Sequence, residues 1–538
     1  MTTLKKPYTA KARRIASTTW PIALVLLFAI AGILHIAISP EWRDVYLYSG
    51  DSTTLAAFMK SIQQGEQLNW IFSSQIFLFP EAILYAMSFA LTQSIHGSLV
   101  LNSILNLLLA YGLFYWIARQ LFDTRLKSQF AAVMAVAVIC GYMVLELHPT
   151  VNQSAVVTLF LFTTYYYGVV LASLGLIALS LFLIKSPQRR SMIIASSTAL
   201  LITALTASSN PLMMLQFTFP YGIVVALMWF INRMPGKIAL LLIGIQAAGL
   251  IVAQIIRIPF KDSVALSAGS YINVDNIPQA VHQLQATVVQ IAGSTASKIE
   301  YLVMGASVLF AVGFATWLLY RLQREHTFLI KQPHILFAVL FGAVAPGVII
   351  LATLLTGNAY TRYFIPVAFV PFIAIFAAAS NTRFITERIV RVAVLAASSL
   401  AIVYCLVNIP RIQPLTQSTP TDAVSCFARH AGDRTINAVG SFWASRPLDL
   451  YSNENIRVVQ VNNQLQPYPW LNNRSVYDLT FSAVVIDKAI PLPSNIGVQH
   501  VAILGPASEI WECRDFYVYH YDTHTKAYQM LNQRVHQR

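Results

Sequence analysis

Apolar residues run along this chain in long blocks separated by short polar segments, as far as about Pro410. A helix needs about 20 apolar residues to cross a bilayer core of roughly 30 Å. Eleven blocks approach or exceed that length: Trp20–Ile38, 98–121, 129–147, 154–184, 191–207, 214–231, 237–257, 300–322, 334–356, 362–380 and 389–408. A further run, 76–92, is broken by Pro80 and Glu81. Its uninterrupted part, Ala82–Thr92, covers roughly half of the core at about 1.5 Å per residue. It predicts a short helix that dips into the membrane or lies flat on it. Two connecting segments have helical periodicity of their own. Leu55, Phe58, Met59 and Ile62 share one face behind Asp51 and Ser52, both good N-cap residues. Ile277, Val281, Leu284, Val288 and Ile291 share another, after Asn276 and Pro278. Both read as amphipathic helices, the first of them lying on the membrane surface.

Beyond Pro410 the pattern becomes that of a soluble domain. Short apolar runs at Thr435–Val439, Ile456–Val461, Ala483–Ile486 and Val501–Leu504 read as strands, with helices near 421–430 and 442–451. That alternation predicts an α/β domain.

Composition agrees with this division. The 538 residues are 56% hydrophobic and 11% charged, with mean hydropathy +0.60, whereas soluble proteins carry roughly 25% charged residues. The chain reads as a polytopic α-helical membrane protein. Its net charge of +14 could point to nucleic acid, but the basic residues sit in short loops between apolar blocks, as the positive-inside rule requires. Nucleic acid is therefore not expected as a partner. With 76–92 not crossing, the N-terminus and the loops at 119–127, 185–190, 232–237, 321–331 and 381–391 share one side and hold 19 Lys and Arg. The opposite loops, 40–97, 146–153, 208–213, 257–300 and 357–362, hold 6. If 76–92 crossed, every later basic loop would change sides. The expected architecture is about 11 transmembrane helices, N-terminus in and C-terminus out. It comprises a basic cytoplasmic N-terminus (1–18), a transmembrane domain (19–409) with outer loops 40–97 and 258–299, and an extracytoplasmic α/β domain (410–538). The first span is longer than a signal-peptide core and reads as uncleaved.

Cys140 and Cys405 lie inside apolar blocks and read as packing residues. Cys426 and Cys513 lie in the soluble region, where an extracytoplasmic setting permits a disulfide that spacing alone does not decide. No Cys/His cluster points to zinc.

The chemistry-bearing residues gather on the outer side. Asp44 and Asp51 follow the first span, and Glu81 follows Pro80. Asp51 is the first choice for a general base that takes a proton from an attacking hydroxyl; a plain helix cap is the alternative. Asp44 could assist or bind a metal, or be a solvated surface acid. A carboxylate in the apolar surroundings of Glu81 is costly without a reason, although the first turn of a helix favours one. His148 beside Glu146 forms a titratable pair at a span end, a candidate for phosphate, metal or acceptor, or a satisfied interfacial histidine. Among cations for an anionic leaving group, Arg362 in N-A-Y-T-R-Y-F stands first, with Tyr360 beside it. It is basic in a very short outer loop, against the charge rule; its alternative role is snorkelling. Arg257 and Lys261 come second. Arg446 could cap the site from the soluble domain, and Asn210 is explained by turn formation.

With G-D-S-T-T-L at Gly50–Leu55, L-F-P-E at Leu78–Glu81 and this overall organisation, the chain resembles the GT-C superfamily of integral-membrane glycosyltransferases. The resemblance implies catalytic acids on juxtamembrane helices of the first outer loop and a polyprenyl-phosphate-linked sugar as donor. It also implies transfer to a glycan, lipid or protein acceptor of the cell envelope, in the bacterial inner (plasma) membrane. The adjacent acidic pair of several GT-C families is absent, since six residues separate Asp44 and Asp51. No cofactor is firmly implied, and a divalent metal ion stays open. A transporter or flippase of lipid-linked glycans is the main competing reading; it is disfavoured because the span interiors are nearly free of charge. A surface-polysaccharide polymerase or ligase, or a non-catalytic scaffold, also fits the topology.

Overall fold

The structure is a computed structural model and describes residues 8–148, 155–185, 188–265, 273–324, 332–381, 387–411, 422–452, 454–488, 495–514 and 516–537. Among the described residues ten helices are long and apolar enough to cross a membrane. They correspond to ten of the eleven expected spans. The eleventh, Met214–Phe230, is shorter and opens with a π-turn at Met214–Thr218. Leu78–Thr92 is likewise shorter than these ten, as the break at Pro80 and Glu81 predicts.

Helix Tyr167–Ile184 is 94% buried inside the bundle and is flanked by Ile95–Leu121 and Arg189–Ser209. Its apolar residues face all directions, the pattern of a helix with no solvent or lipid side. Thr295–Arg324 and Arg391–Arg411 are mostly unburied and form the rim.

The largest departure from expectation lies just before that central helix. The expected span 154–184 includes position 154, which lies outside the described residues; the helix itself starts at Tyr167. Residues 155–166 instead form a fully buried irregular strip with one 3₁₀ turn, Thr158–Leu161. Irregular backbone survives at membrane depth only where protein satisfies it. The Glu146 carboxylate does so, accepting from the N–H groups of Val156 (2.6 Å), Val157 (2.7 Å) and Thr158 (2.7 Å).

The first connecting segment is helical at Pro40–Tyr48, Thr54–Gln63 and Ile83–Thr92. The expected amphipathic helix of the second is Ile277–Gly293. Asp51 and Ser52 do not cap Thr54–Gln63, however. The cap position is Thr53, without a side-chain cap bond.

The C-terminal region is a five-stranded mixed sheet. In chain order the protein's strands are β1 (Trp70–Ile71), β2 (Ile436–Gly440), β3 (Ile456–Gln460), β4 (Asn472–Asn473), β5 (Ala483–Asp487), β6 (Glu509–Cys513) and β7 (Phe516–His520). The sheet order is β3-β2-β5-β7-β6, with β2 parallel to β3 and β5, and β7 antiparallel to β5 and β6. Alternate residues face opposite layers: Ala438, Val458, Val485 and Val518 pack toward helix Asp422–Ala431, and Val439, Val459 and Val484 toward Leu531 of helix Lys526–Val535. Cys426 and Cys513 form a disulfide joining helix Asp422–Ala431 to β6. The expected strand Val501–Leu504 is helical. Val501 and Leu504 are both buried at i, i+3 spacing, the repeat of a helix face. The hairpin β6–β7 escaped the sequence reading because β6 carries Glu509 and Glu512, one on each face, and buries only Trp511 and Cys513.

This sheet domain is fastened to the first connecting segment. β1 pairs antiparallel with β4, Trp70 opposite Asn473. Arg457 meets Glu66 at 2.8 Å, and the Tyr451 hydroxyl donates to the Leu47 carbonyl at 2.7 Å. Phe442 packs so closely on Gly50 that an added Cβ would lie 2.6 Å from its ring. The glycine of G-D-S-T-T-L is thus a docking requirement.

Candidate active site

Asp51 sits on the turn between helices Pro40–Tyr48 and Thr54–Gln63, and the hydroxyls of its motif shape that turn. Ser52 donates to the Val45 carbonyl (2.9 Å), Thr53 to that of Ser49 (2.7 Å) and Thr54 to that of Gly50 (2.9 Å). Carbonyls at a helix end need such partners. The irregular strip grips the same turn from below. Thr163 donates to the Ser52 carbonyl at 2.6 Å and Thr164 to the Asp51 carbonyl at 2.7 Å. The Asp51 side chain, 16% exposed, then accepts from the Tyr165 hydroxyl at 3.3 Å and lies 3.8 Å from an Nη of Arg362.

Arg362 is placed by its own short 3₁₀ turn, Thr361–Phe364. Thr361 donates to the Ala155 carbonyl at 2.9 Å, and Gln216 donates to that of Tyr363 at 2.9 Å. The guanidinium lies 5.2 and 5.5 Å from the ring centres of Tyr360 and Tyr363, within cation–π range. Among the described residues its buried Nε has no hydrogen-bond partner. A buried donor without a partner is costly, and here it belongs to a cation beside open space.

That space is a cavity of about 550 Å³. Asp51 and Arg362 line it together with the 71–77 loop, Thr164–Tyr166, Tyr363, and Tyr468, Trp470 and Arg474 of the sheet domain. Both halves of the protein therefore contribute walls. Burial raises the Asp51 carboxyl above its ordinary value, opposed by Arg362, the Tyr165 hydroxyl and Arg446.

The other sequence candidates fall elsewhere. Asp44 is exposed on helix Pro40–Tyr48 and is not in the cavity wall. Lys261 is exposed on the turn Ile258–Ser263. Arg257 ties the cavity wall together instead, donating to the carbonyls of Ser208 and Ser74, each at 3.1 Å. Arg446 is buried within the domain contact, bonded to the Leu471 carbonyl and lying 6.0 Å from the centre of Trp70. The expected pairing of His148 with Glu146 is not made. Glu146 turns inward to the strip, and His148 meets Glu41 at 3.0 Å.

Glu81 is fully buried behind the cavity wall, under Gly168. A Cβ on Gly168 would lie 2.5 Å from a Glu81 carboxylate oxygen. Among the described residues neither oxygen accepts a well-formed hydrogen bond. Burial raises this carboxyl to about 8, with the nearby Glu81 and Gly168 N–H groups opposing weakly.

The sequence reading missed Thr164, Tyr165 and Tyr166 because they lay inside an apparent span. The available signal was the run T-T-Y-Y-Y at Thr163–Tyr167, five hydrogen-bonding side chains in an otherwise apolar block. Among the described residues no group of three or more His, Cys, Asp or Glu side chains is placed to hold a metal ion.

No protein-family model matches the sequence, and no curated protein does. Solved structures do match. The crystal structure of ArnT from Cupriavidus metallidurans bound to undecaprenyl phosphate aligns with 94% of this chain and 99% of its own, at TM-score 0.51 and 11% identity. The oligosaccharyltransferase of Archaeoglobus fulgidus, in complex with zinc and sulfate, covers 86% of this chain and 68% of its own, at TM-score 0.40 and 11% identity. The likeness to ArnT extends over nearly all of both chains and shows that the two share a fold. The protein is a polytopic membrane protein with a C-terminal α/β domain.

Proposed function

We propose that this protein is a membrane glycosyltransferase that moves a sugar from a polyprenyl-phosphate donor to an acceptor of the cell envelope. The observation that carries the reading is a carboxylate and a guanidinium 3.8 Å apart on the wall of one cavity, at the seam of membrane bundle and sheet domain. The separation is long for a charge-assisted hydrogen bond, so each group keeps capacity for a ligand. An acceptor hydroxyl gives its proton to the Asp51 carboxylate as its oxygen attacks the anomeric carbon. The bond from that carbon to the phosphate oxygen breaks, and the polyprenyl phosphate leaves with the electron pair. Arg362, fixed between two tyrosines, receives the developing negative charge. The bound undecaprenyl phosphate of the ArnT structure supports a polyprenyl-phosphate donor. The loop charges, 19 against 6, support an extracytoplasmic site in a bacterial inner membrane.

Tyr360 acts here as the ring beneath Arg362. Glu81, Asp44, His148, Lys261 and Arg257 have no direct role in this scheme. The test is release of free polyprenyl phosphate from a polyprenyl-phosphate sugar by the purified protein in lipid nanodiscs. Asp51→Asn should abolish it while donor lipid still binds; undiminished release would overturn the assignment. Comparing envelope glycans of a deletion strain with those of its parent would identify the acceptor.

A further inference from the structure

A loop, 356–360, connects helix Pro333–Leu355 to the turn that carries Arg362. The bundle holds the turn itself, through Thr361 and Gln216. The loop is held from another direction, by helix Ile277–Gly293 and the short turn before it, Val274–Asn276. Ala359 is fully buried, so its N–H needs a partner from the protein. It donates to the side-chain amide oxygen of Gln283 at 2.8 Å. Two further contacts close the same seam. The Asn273 N–H donates to the Leu355 carbonyl at 3.0 Å. Gly357, at φ +75°, lies so close to Asn276 that an added Cβ would stand 2.5 Å from that residue's Cβ.

The helix presents Gln283 to this loop. Ala280, Gln283 and Thr287 follow at i, i+3 and i+7, the spacing of one helix face. Ala280 and Thr287 are buried there, whereas Val281, Val288 and Val289 are exposed elsewhere on the helix. From Ala359 the route to the site is short. Its chain neighbour Asn358 lines the Asp51 cavity, and the ring centre of its other neighbour, Tyr360, lies 5.2 Å from the Arg362 guanidinium. Without the Gln283 oxygen the Ala359 N–H would be buried and unpaired, which is costly. The loop must then shift until that N–H finds another acceptor, and Tyr360 and Arg362 shift with it.

We propose that Gln283 is a positioning residue for the transfer reaction. Its amide oxygen fixes the Ala359 N–H, and through the 357–360 backbone it sets where the Arg362 guanidinium meets the leaving phosphate. The inference rests on the reading of Arg362 as the cation that receives that charge. Small displacements of such a group lower turnover steeply.

The test uses the full-length protein in lipid nanodiscs and two measurements: turnover of a polyprenyl-phosphate sugar, and affinity for undecaprenyl phosphate. Gln283→Leu removes the acceptor at nearly constant size. It should lower kcat at least about tenfold and change the donor KM less than about threefold, the signature of an interaction made in the transition state. Undecaprenyl phosphate carries the charge that develops during transfer, and its affinity should fall about fivefold or more. Gln283→Glu keeps an oxygen at the same reach and should restore both values to within about threefold of the wild type. Gln283→Asn, polar but one methylene short, should behave like the leucine variant and replaces it if leucine prevents folding. In an Arg362→Gln background, Gln283→Leu should cost less than about twofold more, because it acts through Arg362.

Unchanged kcat and product affinity in Gln283→Leu would overturn the proposal, as would equal losses in the leucine and glutamate variants. So would an undiminished tenfold loss in the Arg362→Gln background, or a lowered unfolding temperature with kcat per folded molecule intact. Failure of the transferase reading looks different. A wild type that binds undecaprenyl phosphate but releases none from a donor sinks that reading, and the affinity series still decides the role of Gln283. A wild type that neither releases nor binds it overturns both.

Discussion

Asp51 and Glu81 stand on the same connecting segment, and the same reasoning singled out both: carboxylates beside a membrane need a purpose. The structure separates them. Asp51 opens onto a cavity of about 550 Å³ with a guanidinium and a phenol at hand. Glu81 is sealed against Gly168 and has no well-formed hydrogen bond. Both carboxyls are raised by burial, but only one has space for a reacting molecule and a cation to organise it. A displaced carboxyl therefore does not mark a catalytic group by itself; access and a partner charge do.

The sharpest way to break this contrast is to neutralise Asp51. Asp51→Asn should lower turnover about 10²–10⁴-fold, the usual worth of a positioned general base. Stability should be unchanged or slightly higher, because a carboxyl raised by burial costs stability when charged. Thermal unfolding in nanodiscs alongside turnover checks both halves. A large loss of stability would recast Asp51 as a structural acid.

Arg362→Gln comes next. It removes the cation but keeps a donor, and should cost about 10²–10³-fold in turnover, comparable to the loss of one transition-state donor. Arg362→Lys keeps the charge without the planar fork and should recover only part. A full rescue by lysine would show that charge alone matters. Loss of protein from the membrane in both variants would show that Arg362 mainly secures the turn Thr361–Phe364.

For Glu81 the contrast predicts a stability effect rather than a catalytic one. Its folded-state value, about 8, lies above the ordinary 4.5. Between those limits the folded state holds the proton and the unfolded state does not. Stability must therefore fall as pH rises from about 4.5 to about 8. The displacement corresponds to at most about 5 kcal/mol. Glu81→Gln cannot ionise and should flatten this decline, raising the unfolding temperature at pH 8 more than at pH 5. Turnover at pH 7 should change less than about threefold, a prediction tied to the roughly 1 kcal/mol scale of an indirect effect.

How much of this was readable in advance differs by region for physical reasons. Ten of the eleven expected spans followed from apolar length, which the bilayer enforces strictly, and the shortness of the helix in 76–92 followed from the break at Pro80 and Glu81. Asp51 and Arg362 were legible because each broke a local rule: an acid after a span, and a base in a very short loop of the acid-bearing side. Their partnership was not legible, since 311 positions separate them. The strip 155–166 was hidden altogether. Its residues are apolar or aromatic enough to imitate a span, and its backbone is satisfied by Glu146, outside the strip. Thr163 and Thr164 reach the Asp51 turn from it. The buried sheet-domain strands β2, β3 and β5 were visible as apolar runs, whereas β6 was not, because an edge strand with a glutamate on each face lacks that signature.

The smallest expected effect tests that strip most directly. Tyr165 donates to Asp51 at 3.3 Å and so favours the ionised carboxylate. Tyr165→Phe removes that donor while the cavity wall keeps its shape. The Asp51 carboxyl should then rise further, and the base form should be lost at a higher pH as the solution is acidified. On the alkaline plateau turnover should fall no more than about fivefold, the scale of one net hydrogen bond. The acid limb of the pH–rate profile should move upward, and Asp51→Asn should have no such limb to move. An unshifted limb in Tyr165→Phe would mean that Arg362 alone sets the charge of Asp51 and that the strip acts only through the backbone of the turn.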